Sequence, residues 1–255
     1  MQLSIYLNTE TGCDDKSGKD WDNAVKTMAE ALKKVPRSGT ITCYGKIVED
    51  GLVTPAGITD VTIIGHAPRP REGNHGRAAG PKGGASDWRY NSGNEPLLHV
   101  TQQGWKFKNL MLRGGDAGAI LIIRTLEAET TEKGFAGDHA TFEGCTFQGG
   151  AFGICQEGGI FGVKIRSCMF RLMTTGTALL GKTGEGVGYP LFWDIRDNWF
   201  VGNHQDISAA LSCSVITNNI FHSSKLLTPN GISSGLIDLT NGIDNIVENN
   251  LERRF

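Results

Sequence analysis

The chain has 255 residues, of which 35 are glycine and 8 are proline, and its 25 basic and 27 acidic residues give a formal net charge of −2. This near balance gives no sign of a nucleic-acid or anionic-membrane partner, and we expect neither. No apolar run approaches the roughly 18 residues of a membrane helix. The start of the chain lacks the regions of a secretory signal, so we expect synthesis in the cytoplasm without export by that route.

Residues 1–44 are predicted to form an N-terminal entry unit. It begins with a strand of alternating apolar residues: Leu3, Ile5 and Leu7. A polar loop follows over residues 8–20, and Asp20 is placed to cap a helix over residues 22–34. Residues 40–44, with the sequence Thr-Ile-Thr-Cys-Tyr, are predicted to open the first repeating unit.

Residues 66–96 match no repeat and are rich in glycine, proline and arginine. A structureless segment of about 30 residues within a compact domain is generally functional or disordered. Two interpretations stay open: a surface loop, or an arm that orders on a neighbouring subunit. For the arm, six residues offer charge-assisted hydrogen bonds and aromatic anchors: Arg69, Arg71, Arg77, Trp88, Arg89 and Tyr90.

An eight-residue pattern recurs six times along the rest of the chain. Four alternating residues are followed by a pair with a polar member, one further residue and a large apolar residue, which predicts a strand, a tight corner and a second strand. The pattern predicts one coil of a β-solenoid per copy. The third positions should stack as one buried column: Phe107, Phe142, Ile165, Ile195, Ile216 and Ile246. The eighth positions recur every 21 to 35 residues: Leu112, Phe147, Phe170, Phe200, Phe221 and Leu251. Of these, the four phenylalanines should stack as a second buried column.

The sixth position of the repeat predicts polar stacking between coils. Its occupants are Leu110, Cys145, Cys168, Asn198, Asn219 and Asn249. Stacked asparagines can bond amide to amide, as in cross-β ladders. Cys145 and Cys168 share the column and could lie within disulfide reach. We favour buried thiols instead, because a chain of this length without a signal peptide has no need of a disulfide framework.

The N-terminal residues and the repeat together resemble the right-handed parallel β-helix of the pectate-lyase-like superfamily. The opening resembles that of many such proteins in the order Tyr6, Asn8, Gly12, Asp14, Gly18, Trp21, Ala24, Met28, Ala31, Pro36, Gly39 and Ile41. The resemblance implies an all-β fold, a right-handed single-stranded parallel β-helix, in one domain over residues 1–255. It also implies that the short N-terminal helix covers the open end of the solenoid.

Two sequence motifs could indicate a phosphate-binding or a metal-binding site, but both are weak matches. Residues 176–183 satisfy the phosphate-binding loop pattern, but glycines and a proline follow where a helix must begin. Asp14 and Asp15 lack further oxygen ligands at the spacing of a metal loop. We therefore expect no cofactor and no metal-binding residues.

The resemblance also suggests an enzymatic hypothesis, namely cleavage of polysaccharides. Glycosidases need two carboxylates about 5 to 9.5 Å apart, and the candidates Asp194, Asp197, Asp206 and Asp238 have no evident facing partners. Arg166 and Arg196 are expected to form an outward ladder without acidic companions. We expect no catalytic residues and a protein that is not an enzyme.

Unexported β-helix chains of this size resemble bacteriophage particle proteins, which implies a structural protein such as a capsid decoration or cement protein. The resemblance implies a homotrimer that is made in the host cytoplasm, assembled on the virion and bound to other virion proteins such as the major capsid protein. The alternative is a polysaccharide-cleaving or glycan-binding β-helix protein.

Overall fold

The computed structural model describes residues 3–66, 86–91, 95–115, 118–124, 137–173, 175–182, 190–223, 237–239 and 243–254. The regular structure of these residues consists of one short helix, α1 (Met28–Lys34), and strands in three all-parallel sheets. Sheet A contains β1 (Ser4–Asn8), β2 (Thr40–Tyr44), β5 (Thr62–Gly65), β8 (Lys106–Lys108), β11 (Thr141–Glu143), β14 (Lys164–Arg166), β17 (Asp194–Arg196), β20 (Val215–Thr217) and β23 (Ile246–Glu248).

The other two sheets take the remaining strands. Sheet B contains β3 (Lys46–Val48), β6 (Asp87–Arg89), β9 (Met111–Gly114), β12 (Thr146–Gly149), β15 (Met169–Arg171), β18 (Trp199–Val201), β21 (Ile220–Ser223) and β24 (Leu251–Arg254). Sheet C contains β4 (Leu52–Val53), β7 (Leu98–Val100), β10 (Ala119–Arg124), β13 (Phe152–Glu157), β16 (Thr177–Lys182), β19 (Gln205–Ser208) and β22 (Ile237–Asp238).

The order of the strands makes the fold a parallel β-helix, as predicted. From β2 onward the chain visits sheets A, B and C in turn, and each strand pairs with the strands of the same sheet one coil before and one coil after it. Parallel crossover connections are right-handed in about 98% of cases, and the right-handed sense stays the prediction.

The two predicted core columns are confirmed over the central coils. Phe107 and Phe142 stack with ring centroids 5.0 Å apart, and the column continues in register through Ile165, Ile195 and Ile216. In the second column, four phenylalanine rings stack at centroid distances of 4.6, 5.1 and 4.9 Å: Phe147, Phe170, Phe200 and Phe221. All these residues are buried, because successive coils superpose the same inward-facing positions.

A ladder of asparagine amides joins the last coils. The side-chain NH2 of Asn198 donates to the Oδ1 of Asn219 at 2.9 Å, and the NH2 of Asn219 donates to the Oδ1 of Asn250 at 3.0 Å. Each of these two amides also donates to a backbone carbonyl of the preceding coil, Ile165 for Asn198 and Ile195 for Asn219. The ladder provides hydrogen-bond partners for the side-chain amides of Asn198 and Asn219, which are fully buried. It therefore strongly restrains the register between these coils.

The predicted register of the last coil was wrong by one residue. The ladder continues through Asn250 instead of Asn249, and Ile216 pairs with Val247, which leaves Ile246 on the outer face with 52% of its surface exposed. Phe221 correspondingly pairs with Glu252 instead of Leu251. The inward face of this terminal coil is not buried, so apolar packing does not set the register there, and the amide ladder does.

The predicted helix was too long at its N-terminal end. Residues 23–27 run beside the free edge of β1, where Val25 forms a parallel bridge with Leu7 and exchanges hydrogen bonds with the backbones of Tyr6 and Asn8. Helix α1 therefore begins at Met28 with Thr27 as its N-cap, whose Oγ1 accepts from the N–H of Glu30. Pairing with the otherwise open strand edge outweighs the local helix propensity.

Truncation of the phenylalanine stack tests this register. We expect Phe200→Ala to lower the free energy of unfolding by about 3 to 5 kcal/mol, because it removes a buried ring between two stacked neighbours. The matched control is Phe192→Ala, since Phe192 is 58% exposed, and it should change stability by less than about 1 kcal/mol. Denaturant unfolding of the two variants measures both values, and equal losses would contradict the stacked core.

Candidate functional site

An aromatic pocket lies on the outer face of sheet A near its N-terminal edge. Its volume is about 200 Å³, and its described lining residues are Asn8, Trp21, Tyr44 and His66. Asn8 of β1 and Tyr44 of β2 are register partners, and His66 directly follows β5, where its N–H donates to the carbonyl of Cys43. The strand ladder thus places three outward-facing side chains side by side.

Trp21 reaches the pocket from the loop that connects β1 to α1. Its ring contacts Tyr6 and His66 edge to face, at centroid distances of 4.9 and 4.8 Å, and Tyr44 lies 6.4 Å away. The turn beside Trp21 is fixed by Asp20, which accepts from the backbone N–H and the side-chain NH2 of Asn23. Asp20, the predicted helix cap, therefore positions the tryptophan instead.

The loop that carries Trp21 is tied closely to the first strand. Gly12 lies so near the backbone that a Cβ atom there would come within 2.2 Å of the carbonyl oxygen of Val25, so only glycine fits. Asp14 accepts from the N–H groups of Lys26 and Thr27 at 2.8 and 2.9 Å. Burial by itself raises the pKa of Asp14, but these hydrogen bonds outweigh it and lower the pKa below its ordinary value. Asp14 thus has a structural role in the loop.

Three polar side chains line the pocket: Asn8, Tyr44 and His66. The Oδ1 of Asn8 accepts from the N–H groups of Glu10 and Thr11 at 3.0 and 3.2 Å, which leaves its side-chain NH2 without a bond to any residue that the structure describes. The hydroxyl of Tyr44 and the imidazole of His66 also form no hydrogen bond within the described ranges. The pocket therefore combines an aromatic wall with three groups that can bond a ligand.

The arginines predicted to form a ladder without acidic companions do have one. Asp194 accepts from both Arg166 and Arg196. Burial raises the pKa of Asp194, but the two guanidinium groups outweigh it and hold the pKa below its usual value. Asp197 lies at the corner of its coil with a φ of 57°. The carboxylate of Asp194 is therefore engaged by two cations.

Two other carboxyl groups are buried inside the solenoid. Burial raises the pKa of Asp206 to about 7, although the NH2 of Asn203 donates to its Oδ1 at 2.9 Å and opposes the shift. Burial likewise raises the pKa of Asp138 to about 6, opposed by the N–H of Phe161. Asp206 and Asp138 are each 3% exposed, so bulk substrate has little access to them. The side chain of Asp238, the remaining candidate, lies outside the described residues.

The predicted interface residues separate into three groups. Arg69, Arg71 and Arg77 lie outside the described residues. Trp88 is fully buried, its ring N–H donates to the carbonyl of Glu49, and it pairs in sheet B with Ile47 and Leu112. Trp88 is therefore a core residue, and its prediction as an exposed anchor was wrong.

The remaining two interface candidates lie at the surface of the same coil. Arg89 forms an ion pair with Asp87 within β6, and Tyr90 is 40% exposed. Residues 87–89 thus belong to the solenoid, in contrast to the prediction that residues 66–96 match no repeat. The alternation of one short strand was too brief to detect between glycine- and proline-rich flanks.

All six cysteines are free thiols. Cys145 and Cys168 are buried, and the Sγ of Cys145 donates to the carbonyl of Phe107 at 3.4 Å. Burial raises the pKa of the Cys168 thiol. The interpretation of stacked buried thiols agrees with this arrangement.

The described residues offer neither a metal site nor a membrane-spanning helix. In the part of the chain that the structure describes, no group of three or more histidine, cysteine, aspartate or glutamate side chains could hold a metal ion. Over the same described ranges, no helix is long and apolar enough to span a bilayer.

Comparisons with known proteins return no relative. A scan against protein-family models finds no match to this chain, and searches of curated proteins and of solved structures find none either. The parallel β-helix rests on the strand order, and membership of the pectate-lyase-like superfamily stays a resemblance.

Sequence reasoning named part of the pocket without seeing it as a site. The sequence assigns three of these residues only to the N-terminal family resemblance: Tyr6, Asn8 and Trp21. It assigns Tyr44 to a strand and His66 to a loop. The available signal was the outward position of Tyr6 and Tyr44 in two strands predicted to be neighbours. Their convergence with Trp21 depends on the path of the loop, which no periodicity encodes.

The buried carboxyl of Asp206 predicts a fall in stability as pH rises. Its pKa is raised in the folded state, so the fold holds a proton that the unfolded chain releases near pH 4, and this stabilisation is lost as pH rises towards 7. The slope can reach about 1.4 kcal/mol per pH unit. We expect Asp206→Asn to lose less unfolding free energy than the wild type between pH 5 and pH 8. A smaller dependence of stability on pH should persist in this variant because Asp138 is still present.

The control for this measurement is Asp194→Asn. The pKa of Asp194 is lowered, so its contribution is complete above pH 5, and the variant should be less stable with an unchanged slope from pH 5 to 8. Denaturant titrations at several pH values give both slopes. A wild-type slope retained in Asp206→Asn would show that another group is responsible.

Proposed function

We propose that this chain is a non-catalytic structural protein of a bacteriophage particle, either a capsid decoration or cement protein or another subunit of the virion surface. The observation that supports it is that the stacked phenylalanine column and the asparagine ladder both hold one coil on the next. Such stacking gives a stiff rod with regular side faces, which suits a load-bearing subunit. The link to phage particles comes from the sequence resemblance.

We further propose that copies of the chain associate through the outer face of sheet B, in the homotrimer that the resemblance implies. One outward column of this sheet is mostly apolar: Met111, Thr146, Met169, Trp199, Ile220 and Leu251. Met111 is only 5% exposed, whereas Trp199 and Leu251 are 39% and 45% exposed. Exposed apolar side chains such as Trp199 and Leu251 are typical of an association surface.

The outer face of sheet A is a poorer candidate for self-association. It carries the ion pair of Lys108 with Glu143, whose Nζ and Oε2 are 2.9 Å apart, and the Arg166–Asp194–Arg196 cluster. Charged residues of this kind are depleted in the cores of interfaces. Sheet B carries ion pairs as well, of Asp87 with Arg89 and Arg113, but they lie on β6 and β9, whereas its exposed apolar residues Trp199 and Leu251 lie on β18 and β24. We therefore assign this later part of sheet B to the neighbouring chain.

Polysaccharide cleavage is the enzymatic alternative, and the carboxylates offer it little support. Asp194 is neutralised by two guanidinium groups, and Asp206 is buried away from any substrate. Neither has the open position between two carboxyl groups that glycoside hydrolysis requires. These placements favour the structural role.

Disruption of the apolar column tests the assembly. We expect Trp199→Glu to reduce the mass of the assembly towards that of a single chain in sedimentation equilibrium, because it places a charge within this column. Lys164→Glu, on the charged face of sheet A, is the matched control and should leave the mass unchanged. A wild-type protein that is monomeric at every concentration would contradict the trimer.

The particle role has a direct test. Mass spectrometry of purified phage particles from the organism that encodes the chain should detect it at a constant ratio to the major capsid protein. A chain that is abundant in the lysate and missing from washed particles would overturn the proposal.

A further inference from the structure

We propose that the aromatic pocket is a carbohydrate site that takes one neutral sugar ring of a glycan. This inference goes beyond the structural role, and it needs only the single chain. It rests on three features of the pocket: the arrangement of its rings, the chemistry of its polar groups and the rigidity of its walls.

The rings border an open surface pocket whose size suits a single ring-sized group. The planes of Trp21, Tyr44 and His66 meet at 81°, 62° and 69°, so the three side chains form walls instead of one stacked layer. The volume of about 200 Å³ is below the roughly 300 to 1,000 Å³ of sites for drug-sized ligands. Aromatic faces are electron-rich, and they attract the C–H groups that cover one face of a pyranose ring.

The polar groups match hydroxyls better than they match ions. Asn8, Tyr44 and His66 present a carboxamide, a phenol and an imidazole, which can donate hydrogen bonds, and the last two can also accept them. Sugar hydroxyls need both kinds of partner. Among the described lining residues there is no carboxylate to balance a bound cation and no lysine or arginine to bind an anion. These groups therefore favour a neutral polyhydroxylated ligand.

The walls are held in place before any ligand arrives. Asn8 and Tyr44 project from paired strands, and Asn8 is turned towards the pocket by the two N–H groups that bond its Oδ1. Next to His66, a Cβ atom at Gly65 would come within 2.2 Å of the carbonyl oxygen of Asn109, so the backbone packs closely beneath this wall. A preformed site loses little entropy of its own on binding.

The test is a binding titration of the full chain with a fixed panel of small ligands. The panel contains the methyl glycosides of glucose, galactose, mannose and N-acetylglucosamine, with methyl glucuronide and choline as charged comparators. Saturation-transfer NMR and calorimetry should detect at least one neutral glycoside, and neither comparator should bind as tightly. Trp21→Ala and His66→Ala should each weaken binding at least tenfold.

Trp199→Ala is the matched control, because Trp199 is a tryptophan with 39% of its surface exposed that lies in sheet B, away from the pocket. It should leave sugar affinity unchanged, even if it alters the mass of the assembly, so the two proposals can fail separately. His66 is exposed, so His66→Ala should keep the fold and serves as the readout if Trp21→Ala does not fold. The proposal is overturned if no neutral glycoside binds, if methyl glucuronide or choline binds more tightly than every neutral sugar, or if His66→Ala retains wild-type affinity.

Discussion

The parallel register between successive coils is the constraint on which the rest of the structure depends. Side chains alternate between the two faces of a strand, so a slip of one residue would turn an entire buried set outward. Corner residues in the left-handed region hold each coil at the same point, and they include Asn109, Ser167, Asp197, Asn218 and Asn249. Asparagine and aspartate tolerate this conformation better than most residues, which explains their recurrence at the corners.

The final coil shows which force sets the register when burial is absent. Glu252 takes the place that phenylalanine holds in the preceding coil, and Val247, behind Ile216, is 46% exposed. Hydrophobic burial cannot choose between registers at such an end. Hydrogen bonds select the register instead. The Oδ1 of Asn250 accepts from the side-chain NH2 and the backbone N–H of Asn219. A buried amide without a partner would destabilise the fold by about 1 to 3 kcal/mol.

At the N-terminal end, the first strand has a free edge that must be covered, and the segment that covers it also forms the pocket. An open strand edge invites pairing with other chains, and here residues 23–27 occupy part of the edge of β1 while α1 packs its buried side chains into the core. The loop that makes this closure must return over the outer face of sheet A. Trp21 lies in this returning segment. The segment therefore covers part of the strand edge and also forms one wall of the pocket, beside Tyr44 and His66.

Sequence alone determined the periodic features of this protein. Alternation at Phe107 and Phe142, the repeated polar corners and the stacked Asn198 and Asn219 were enough to predict the parallel β-helix and its core, since each coil repeats one local pattern. Tertiary structure decided the features that depend on which segments meet. It shortened the helix in favour of an edge bridge at Val25, buried Trp88 within a coil, gave Arg166 and Arg196 a shared partner in Asp194, and brought Trp21 to His66. These contacts join residues from different coils or from a loop without a repeat, and the local pattern of a strand carries no information about them.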